Sequence, residues 1–234
     1  MVLIVSASPS LILIIIFIIV LIIVFINYFF GKKQVIIRTL SKIPHKPIHS
    51  FKTNDIVKVT GKALHVDTPL IAPLSKRKCI FYYVRIEQKK SNGKNSYWKT
   101  LVTDEKIQNF FLSDNDHMLI VQPTHNPLNF VSYLQIDKKT TSGTFNDPTP
   151  EFESVLKSYN INPNGLFGFN KRLRYKEGII EIGEEITVAG QVRWKTLNEP
   201  IPEYPYSKIA SIENSENKKI IITDLPEVKS KERF

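Results

Sequence analysis

The chain has 234 residues, enough for one medium-sized domain or two small ones with appended segments. Its single cysteine excludes an intramolecular disulfide framework and a thiolate-rich zinc site, because both need several cysteines. The formal net charge is +10, and more than half of it lies in one stretch after the first apolar segment. This distribution does not predict a nucleic-acid-binding face, and no motif predicts a cofactor or a bound metal.

The first predicted element is a transmembrane helix. Residues 11–26, LILIIIFIIVLIIVFI, are apolar throughout, and only Asn27 separates them from Tyr28, Phe29 and Phe30. About twenty apolar residues suffice to cross the hydrocarbon core. A cleaved signal peptide would have a basic start and a small-residue cleavage site, and a buried soluble helix would have a polar face. Neither feature is present, so we predict a permanent anchor over residues 1–30.

A basic stretch follows the anchor, with no acidic residue before Asp55. The positive-inside rule places such a stretch in the cytoplasm, which predicts an outside N-terminus and a cytoplasmic C-terminal part. The same charges could contact anionic headgroups. The candidates for this contact are Lys32, Lys33, Arg38 and Lys42.

Residues 31–53 are predicted to be a basic juxtamembrane linker. Pro44 and Pro47 favour an extended chain there and argue against a helix that would align His45 with His49. A metal site at these two histidines is therefore not expected.

Residues 54–224 are predicted to form one mainly β domain, with barrel or sandwich character and possibly two small β lobes. Short apolar or alternating runs recur at close intervals between turn residues, and Asn92-Gly93 marks a hairpin. Predicted strands cover 55–66, 79–87, 97–102, 117–122, 129–136, the segments on both sides of Gly183, 207–212 and 219–223. One short helix is predicted after Thr149-Pro150, and residues 225–234 are predicted to be a flexible charged tail.

Cys79 lies in PLIAPLSKRKCIFYYVRIE, directly after three basic residues. Positive charge nearby lowers a thiol pKa and would favour a reactive thiolate. The apolar run that follows favours a small core residue at the start of a buried strand. We predict the second, with the thiol pKa raised by its apolar surroundings.

No catalytic motif is present. His117 and His125 lie near Asp114 and Asp116, and Glu181, Glu184 and Glu185 flank a predicted turn, but solvated turn residues explain both groups. Phe81, Tyr82, Tyr83, Phe110 and Phe111 could stack nucleic-acid bases. They lie in apolar runs with little interleaved positive charge, which favours core packing.

Several fragments occur in an order that resembles the GIDE ("beside a membrane") domain of membrane-bound mitochondrial E3 ubiquitin ligases. They are PLIAPLS, CIFYYVRIE, Trp98, NFFLSD, IVQP and RYKEGIIEIGEEITVAG, over roughly residues 55–223. The positions that match the family pattern, interpreted as structural, are Pro69, Pro73, Cys79, Tyr82, Glu177, Gly183, Glu184 and Gly190.

In those ligases a RING finger follows the domain and holds two zinc ions with Cys and His ligands. This sequence has no cysteine after Cys79 and no histidine after His125, so no catalytic residue is carried over. The predicted function is a membrane-anchored interaction or scaffold module with an unidentified protein partner. The alternatives are a ubiquitin-ligase-like protein that uses a partner's RING, and a lipid-binding module. The bias towards Ile, Lys and Asn suits an AT-rich bacterial genome.

Overall fold

The computed structural model describes residues 9–114, 117–123, 130–165, 169–197, 204, 206–215 and 218–229, apart from the Asn27 side chain. The chain divides into two units, Met1–Lys42 and Ile43–Phe234.

The first unit contains two helices, α1 (Pro9–Phe30) and α2 (Lys32–Ser41). Helix α1 is the one helix in the described part of the chain that is long and apolar enough to span a membrane. Its 22 residues include no Asp, Glu, Lys or Arg, and at 1.5 Å per residue they reach about 33 Å. The predicted apolar helix is therefore present, and its length and composition make it a candidate membrane span.

The predicted extended linker was wrong in its first half. Lys32–Ser41 is α-helical, and Pro44 and Pro47 lie beyond its end. Lys, Gln, Arg and Leu are good helix formers, so the prolines limit where the helix ends without preventing it. The second half of the predicted linker belongs to the β-rich unit, where Ile48 and Phe51 are buried in the core.

The second unit is built on a closed five-stranded barrel. Its strands are ordered β1-β5-β6-β11-β10, and β10 pairs with β1 to close the ring. All these pairs are antiparallel except β6 with β11, which is parallel. The bounds are β1 Ile56–His65, β5 Phe110–Asp114, β6 His117–Val121, β10 Glu185–Thr196 and β11 Lys208–Glu213.

Counted within the ring, this order is 1-2-3-5-4 with a parallel pair between the third and fifth strands. That is the Greek-key arrangement of the oligonucleotide/oligosaccharide-binding barrel. Strand β1 pairs with β10 over Ile56–Lys62 and with β5 over Lys62–His65. Gly61 lies at this change of partner, where a Cβ would lie 2.4 Å from the Ser113 carbonyl oxygen. The topology identifies a fold and not a ligand.

Two insertions into the barrel form a second sheet. The first supplies β2 (Leu70–Ile71), β3 (Lys78–Ser91) and β4 (Ser96–Ile107), and the second supplies β8 (Lys138–Ser142) and β9 (Leu173–Glu181). The strand order is β2-β3-β9-β8, with β4 on β3. Helix α3 (Pro150–Ser158) lies between β8 and β9, and β7 (Phe130–Tyr133) and β12 (Ile220–Thr223) extend the barrel sheet from β10.

Two hydrophobic clusters stabilise this unit. The barrel cluster includes Val57, Phe81, Phe110 and Ile186, and Phe81 packs edge-to-face on Phe130. The second cluster lies under α3, where Phe152 packs edge-to-face on Tyr175. Phe81 and Phe110 are fully buried, so these two candidate base-stacking residues are core residues.

The predicted mainly β fold with one short helix in this unit is confirmed. Thr149 caps α3 by accepting a hydrogen bond from the Phe152 amide, with Pro150 in the first turn, and Gly93 has the positive φ of a hairpin turn. Strand β8, which is rich in Lys and Thr, was not predicted. The tail predicted to begin at residue 225 begins later than predicted. Leu225 and Val228 are buried, and residues 226–228 form a short 3-10 helix.

Candidate functional site: the basic surface of the second sheet

Glu177, one of the family-pattern residues, organises the turn that precedes Cys79. Its side chain is fully buried and accepts hydrogen bonds from the Leu74 amide (2.9 Å), the Ser75 amide (3.1 Å) and the Tyr175 hydroxyl (2.8 Å). Burial and the adjacent Glu177 carboxylate raise the pKa of Tyr175. The carboxylate thus replaces water for two turn amides, which makes Glu177 a structural residue.

Cys79 is fully buried at the start of β3, in a small cluster with Ala72 and Ile179. Burial first, and then the Glu177 charge, raises the pKa of its thiol to about 12. The Sγ–H group points at the Leu70 carbonyl oxygen at 3.7 Å. The prediction of a core residue is confirmed, and a thiolate nucleophile is not what this environment produces.

Pro69 and Pro73 are half-buried and flank β2, and Pro73 begins the turn that Glu177 holds. The Tyr82 hydroxyl donates to Asp104 at 3.3 Å, and Tyr159 donates to the same carboxylate oxygen at 2.6 Å. Burial and Asp104 raise the pKa of Tyr82 to about 12. These contacts tie β3, β4 and α3 together.

The remaining family-pattern residues shape the β9–β10 turn and strand β10. Gly183 has φ +84° and donates its amide to the Ala63 carbonyl at 2.7 Å, and the Glu184 side chain accepts from the Glu181 amide at 2.9 Å. At Gly190 a Cβ would lie 2.6 Å from Cγ2 of Ile212. A structural role explains each position.

The titratable candidates that the structure describes lie in different environments. His49 lies beside His117, not beside His45, and His125 and Asp116 are outside the described residues. Among the described residues no group of three His, Cys, Asp or Glu side chains is placed to hold a metal ion. Glu185 is paired with Lys229 at 3.7 Å.

The juxtamembrane cations lie on and just after α2. The Arg38 guanidinium donates to the Phe29 carbonyl at 2.6 Å and lies 4.5 Å from the Phe29 ring centroid. Lys32 and Lys42 are exposed, and Lys33 is half-buried. Arg38 is therefore fixed at the end of α1, where it also provides an unsatisfied helix carbonyl with a donor.

A second group of cations, missed in the sequence, shares one face of the second sheet. Strand register places Arg85 opposite Lys176, Lys176 opposite Lys139, and Lys89 opposite Trp98. Opposed residues of an antiparallel pair point to the same side. We call this face the basic surface; its members are Arg85, Lys89, Trp98, Lys139, Arg174 and Lys176.

Arg174 makes both an ion pair and a ring contact within the basic surface. It donates to Glu87 at 2.7 Å, and its guanidinium carbon lies 4.0 Å from the Trp98 ring centroid. Lys176 pairs with the same carboxylate at 3.2 Å, and these two cations hold the pKa of Glu87 below its usual value despite its burial. Trp98 remains 36% exposed. The arrangement presents a rigid aromatic–cation pair to solvent.

The basic surface has five cations against two carboxylates, Glu87 and Glu105. Glu87 is satisfied by its two cations, and Glu105 accepts from Ser132 at 2.5 Å. The hairpin loop that joins β3 to β4 adds Lys94, which is exposed. The sequence signal was the alternation Arg85-x-Glu87-x-Lys89 and Arg174-x-Lys176, but only the register brings these segments together.

No family model, curated protein or solved structure matches this chain.

Proposed function

We propose that this chain is a membrane-anchored interaction module whose β-rich unit binds an acidic segment of a protein partner at the basic surface. The orientation we propose follows from the positive-inside rule, with the N-terminus outside and the β-rich unit in the cytoplasm. The observation that carries the proposal is the exposed Trp98–Arg174 pair, held by Glu87 within a rim of lysines.

Trp, Tyr and Arg dominate the energetics of protein interfaces, and a side chain already fixed in the free protein loses less entropy on binding. Arg174 is fixed by an ion pair with Glu87 and by the Trp98 ring above it, and Trp98 lies on β4, whose residues are mostly exposed. Lys89 and Lys139 have no ion-pair partner among the described residues. An acidic partner would supply the missing anions.

The test uses the full chain in nanodiscs of neutral lipid, with a fluorescent Glu-rich peptide as the acidic probe. Lys89→Glu with Lys139→Glu should weaken peptide binding at least about tenfold, because two attractive contacts become repulsive. The matched control is Lys99→Glu with Lys106→Glu, which makes the same charge change on the opposite face of the same sheet. Equal weakening in both double variants would show that net charge, and not this surface, binds the peptide.

A photo-crosslinking amino acid in place of Thr100, which is exposed on β4 and lies opposite Glu87 on the basic surface, then identifies the cellular partner. The adduct should disappear with Lys89→Glu and Lys139→Glu and persist with the control pair. Crosslinks to lipid alone would contradict the proposal of a protein partner.

Contact with anionic headgroups is the second candidate function, favoured by α2 beginning one residue after α1. Each cation near an anionic surface contributes about 1 kcal/mol. Neutralising Lys32, Lys33, Arg38 and Lys42 should reduce the preference of the full chain for anionic over neutral lipid, measured by lipid co-purification. An unchanged preference would refute this role.

Ubiquitin-ligase activity, implied by the family resemblance, would need a RING finger from a partner. The purified chain with E1, E2 and ubiquitin should form no conjugates by itself. Conjugate formation under those conditions would refute the interaction-module proposal in its simple form. Protease digestion of intact cells tests the orientation, because an outside β-rich unit would be cleaved.

A further inference from the structure

A cavity of about 390 Å³ opens at one end of the barrel, where β10 ends and β6 and β11 begin. Its volume falls in the range of small-molecule sites, roughly 300 to 1,000 Å³. The side chains that line it are mostly aromatic or cationic. They include His49, His117, Trp194, Tyr204, Tyr206 and Lys208. It lies on the barrel and shares no residue with the basic surface.

Two of the three aromatic wall residues already have their hydrogen-bond donors engaged within the protein. Trp194 Nε1 donates to the Phe51 carbonyl at 3.3 Å, and the Tyr204 hydroxyl donates to the Lys208 carbonyl at 2.8 Å. Tyr204 and Tyr206 pack edge-to-face with centroids 5.3 Å apart, and Tyr206 remains 57% exposed. A proline-rich peptide would need such donors for its carbonyls, so these walls suit a flat ring better.

The cavity also has a side rich in groups that bind anions. The rings of His49 and His117 lie 5.3 Å apart, and the Lys208 ammonium group has no ion-pair partner among the described residues. No carboxylate lines the cavity in the part of the chain that the structure describes. The two imidazoles have no third ligand residue there either, which favours an anion over a metal ion.

We propose that this cavity binds a small planar aromatic anion, an aromatic ring that carries a phosphate or carboxylate group. The ring stacks against Trp194 and Tyr206, and the anionic group faces Lys208 and the two histidines. We expect neither part of the ligand to bind well by itself. A free hydrated anion would gain no ring contact from the apolar walls, and a neutral ring would gain no charge interaction with Lys208 and the histidines. This site is independent of the proposed partner-binding function.

The test compares three probes on the full chain in detergent: phenyl phosphate, phenol and inorganic phosphate. The chain has two tryptophans, so Trp98→Phe leaves Trp194, which lines the cavity, as the only tryptophan. Phenyl phosphate should quench it saturably with a Kd below about 1 mM, and phenol and inorganic phosphate should bind at least about tenfold more weakly. Benzoate and a nucleoside monophosphate then separate carboxylate ligands from phosphate ligands.

Lys208→Gln and His49→Gln should each weaken phenyl phosphate binding at least about threefold without changing phenol binding. The matched control, Lys195→Gln, removes a neighbouring lysine that is already paired with Glu213, and should leave binding unchanged. Equal affinity for phenol and phenyl phosphate, or no saturable quenching, would overturn the proposal. The Lys89→Glu and Lys139→Glu variant should bind phenyl phosphate normally, so failure of either proposal can be recognised separately.

Discussion

Replacing Glu177 tests whether the buried carboxylate supports the turn before Cys79. Glu177→Gln keeps the volume of the side chain but removes the charge and turns one acceptor oxygen into a donor. The NH2 group then faces the Ser75 amide if it replaces Oε1, or both the Leu74 amide and the Tyr175 hydroxyl if it replaces Oε2, at 2.8 to 3.1 Å. At least one donor is left without an acceptor.

Hydrogen bonds to a charged group contribute about 1.5 to 3 kcal/mol each, and a buried unsatisfied donor costs about 1 to 3 kcal/mol. We therefore expect Glu177→Gln to lower the free energy of unfolding by about 2 to 3 kcal/mol. Tyr175→Phe removes one of the three donors and should cost about 1 kcal/mol. It should cost less in the Glu177→Gln background, because the partner charge is already absent.

The assay is urea unfolding of the full chain in detergent, followed by tryptophan fluorescence. Glu181→Gln is the matched control on the same strand, since Glu181 is exposed and paired with Arg77 on the surface, where ion pairs contribute at most about 1 kcal/mol. A Glu177→Gln variant as stable as the Glu181→Gln variant would refute the role of this carboxylate.

Three further predictions concern other buried positions. Burial raises the pKa of Asp224 to about 6 from 3.8, so the folded state holds this proton more tightly than the unfolded state does. The contribution of Asp224 to stability therefore falls by roughly 2 to 3 kcal/mol as pH rises through that interval. Asp224→Asn should flatten this pH dependence of the urea midpoint between pH 4 and 7, and an unchanged slope would refute the assignment. Gly190→Ala should cost about 1 to 3 kcal/mol, because its Cβ would overlap Ile212, and a variant with an unchanged urea midpoint would contradict this. Cys79→Ser should leave partner binding intact, and the native thiol should react with iodoacetamide near neutral pH far more slowly than in urea; rapid alkylation of the folded protein would contradict its burial.

The sequence was sufficient to predict strands such as β1, β6, β10 and β11 because many of their residues are buried and therefore show their apolar pattern directly. Ile186, Val188 and Val192 alternate on β10 and all are buried. The helix after Thr149 carries both its cap and its apolar stripe in the sequence. Such local signals do not depend on which strands pair.

The features that escaped prediction depend on contacts between distant segments. Strand β8 is formed by Lys138–Ser142, whose pattern alone suggests a loop, and it exists because it pairs with β9. The basic surface needs residues from β3, β4, β8 and β9, which the sequence separates by up to about 90 positions. The cavity likewise needs His49 next to His117, a proximity that no spacing in the sequence indicates.

The two insertions that build the second sheet also have a consequence for the order of folding. The chain leaves β1 for β2–β4 before it makes β5, and leaves the barrel again for β8, α3 and β9 before it makes β10. The second sheet is complete only when β9 has been synthesised, about 90 residues after its partner β3, and the barrel only when β11 has been synthesised. Because long-range pairing is slow and leaves strand edges unpaired in the meantime, the nascent β-rich unit should require chaperone protection for longer than a barrel without insertions.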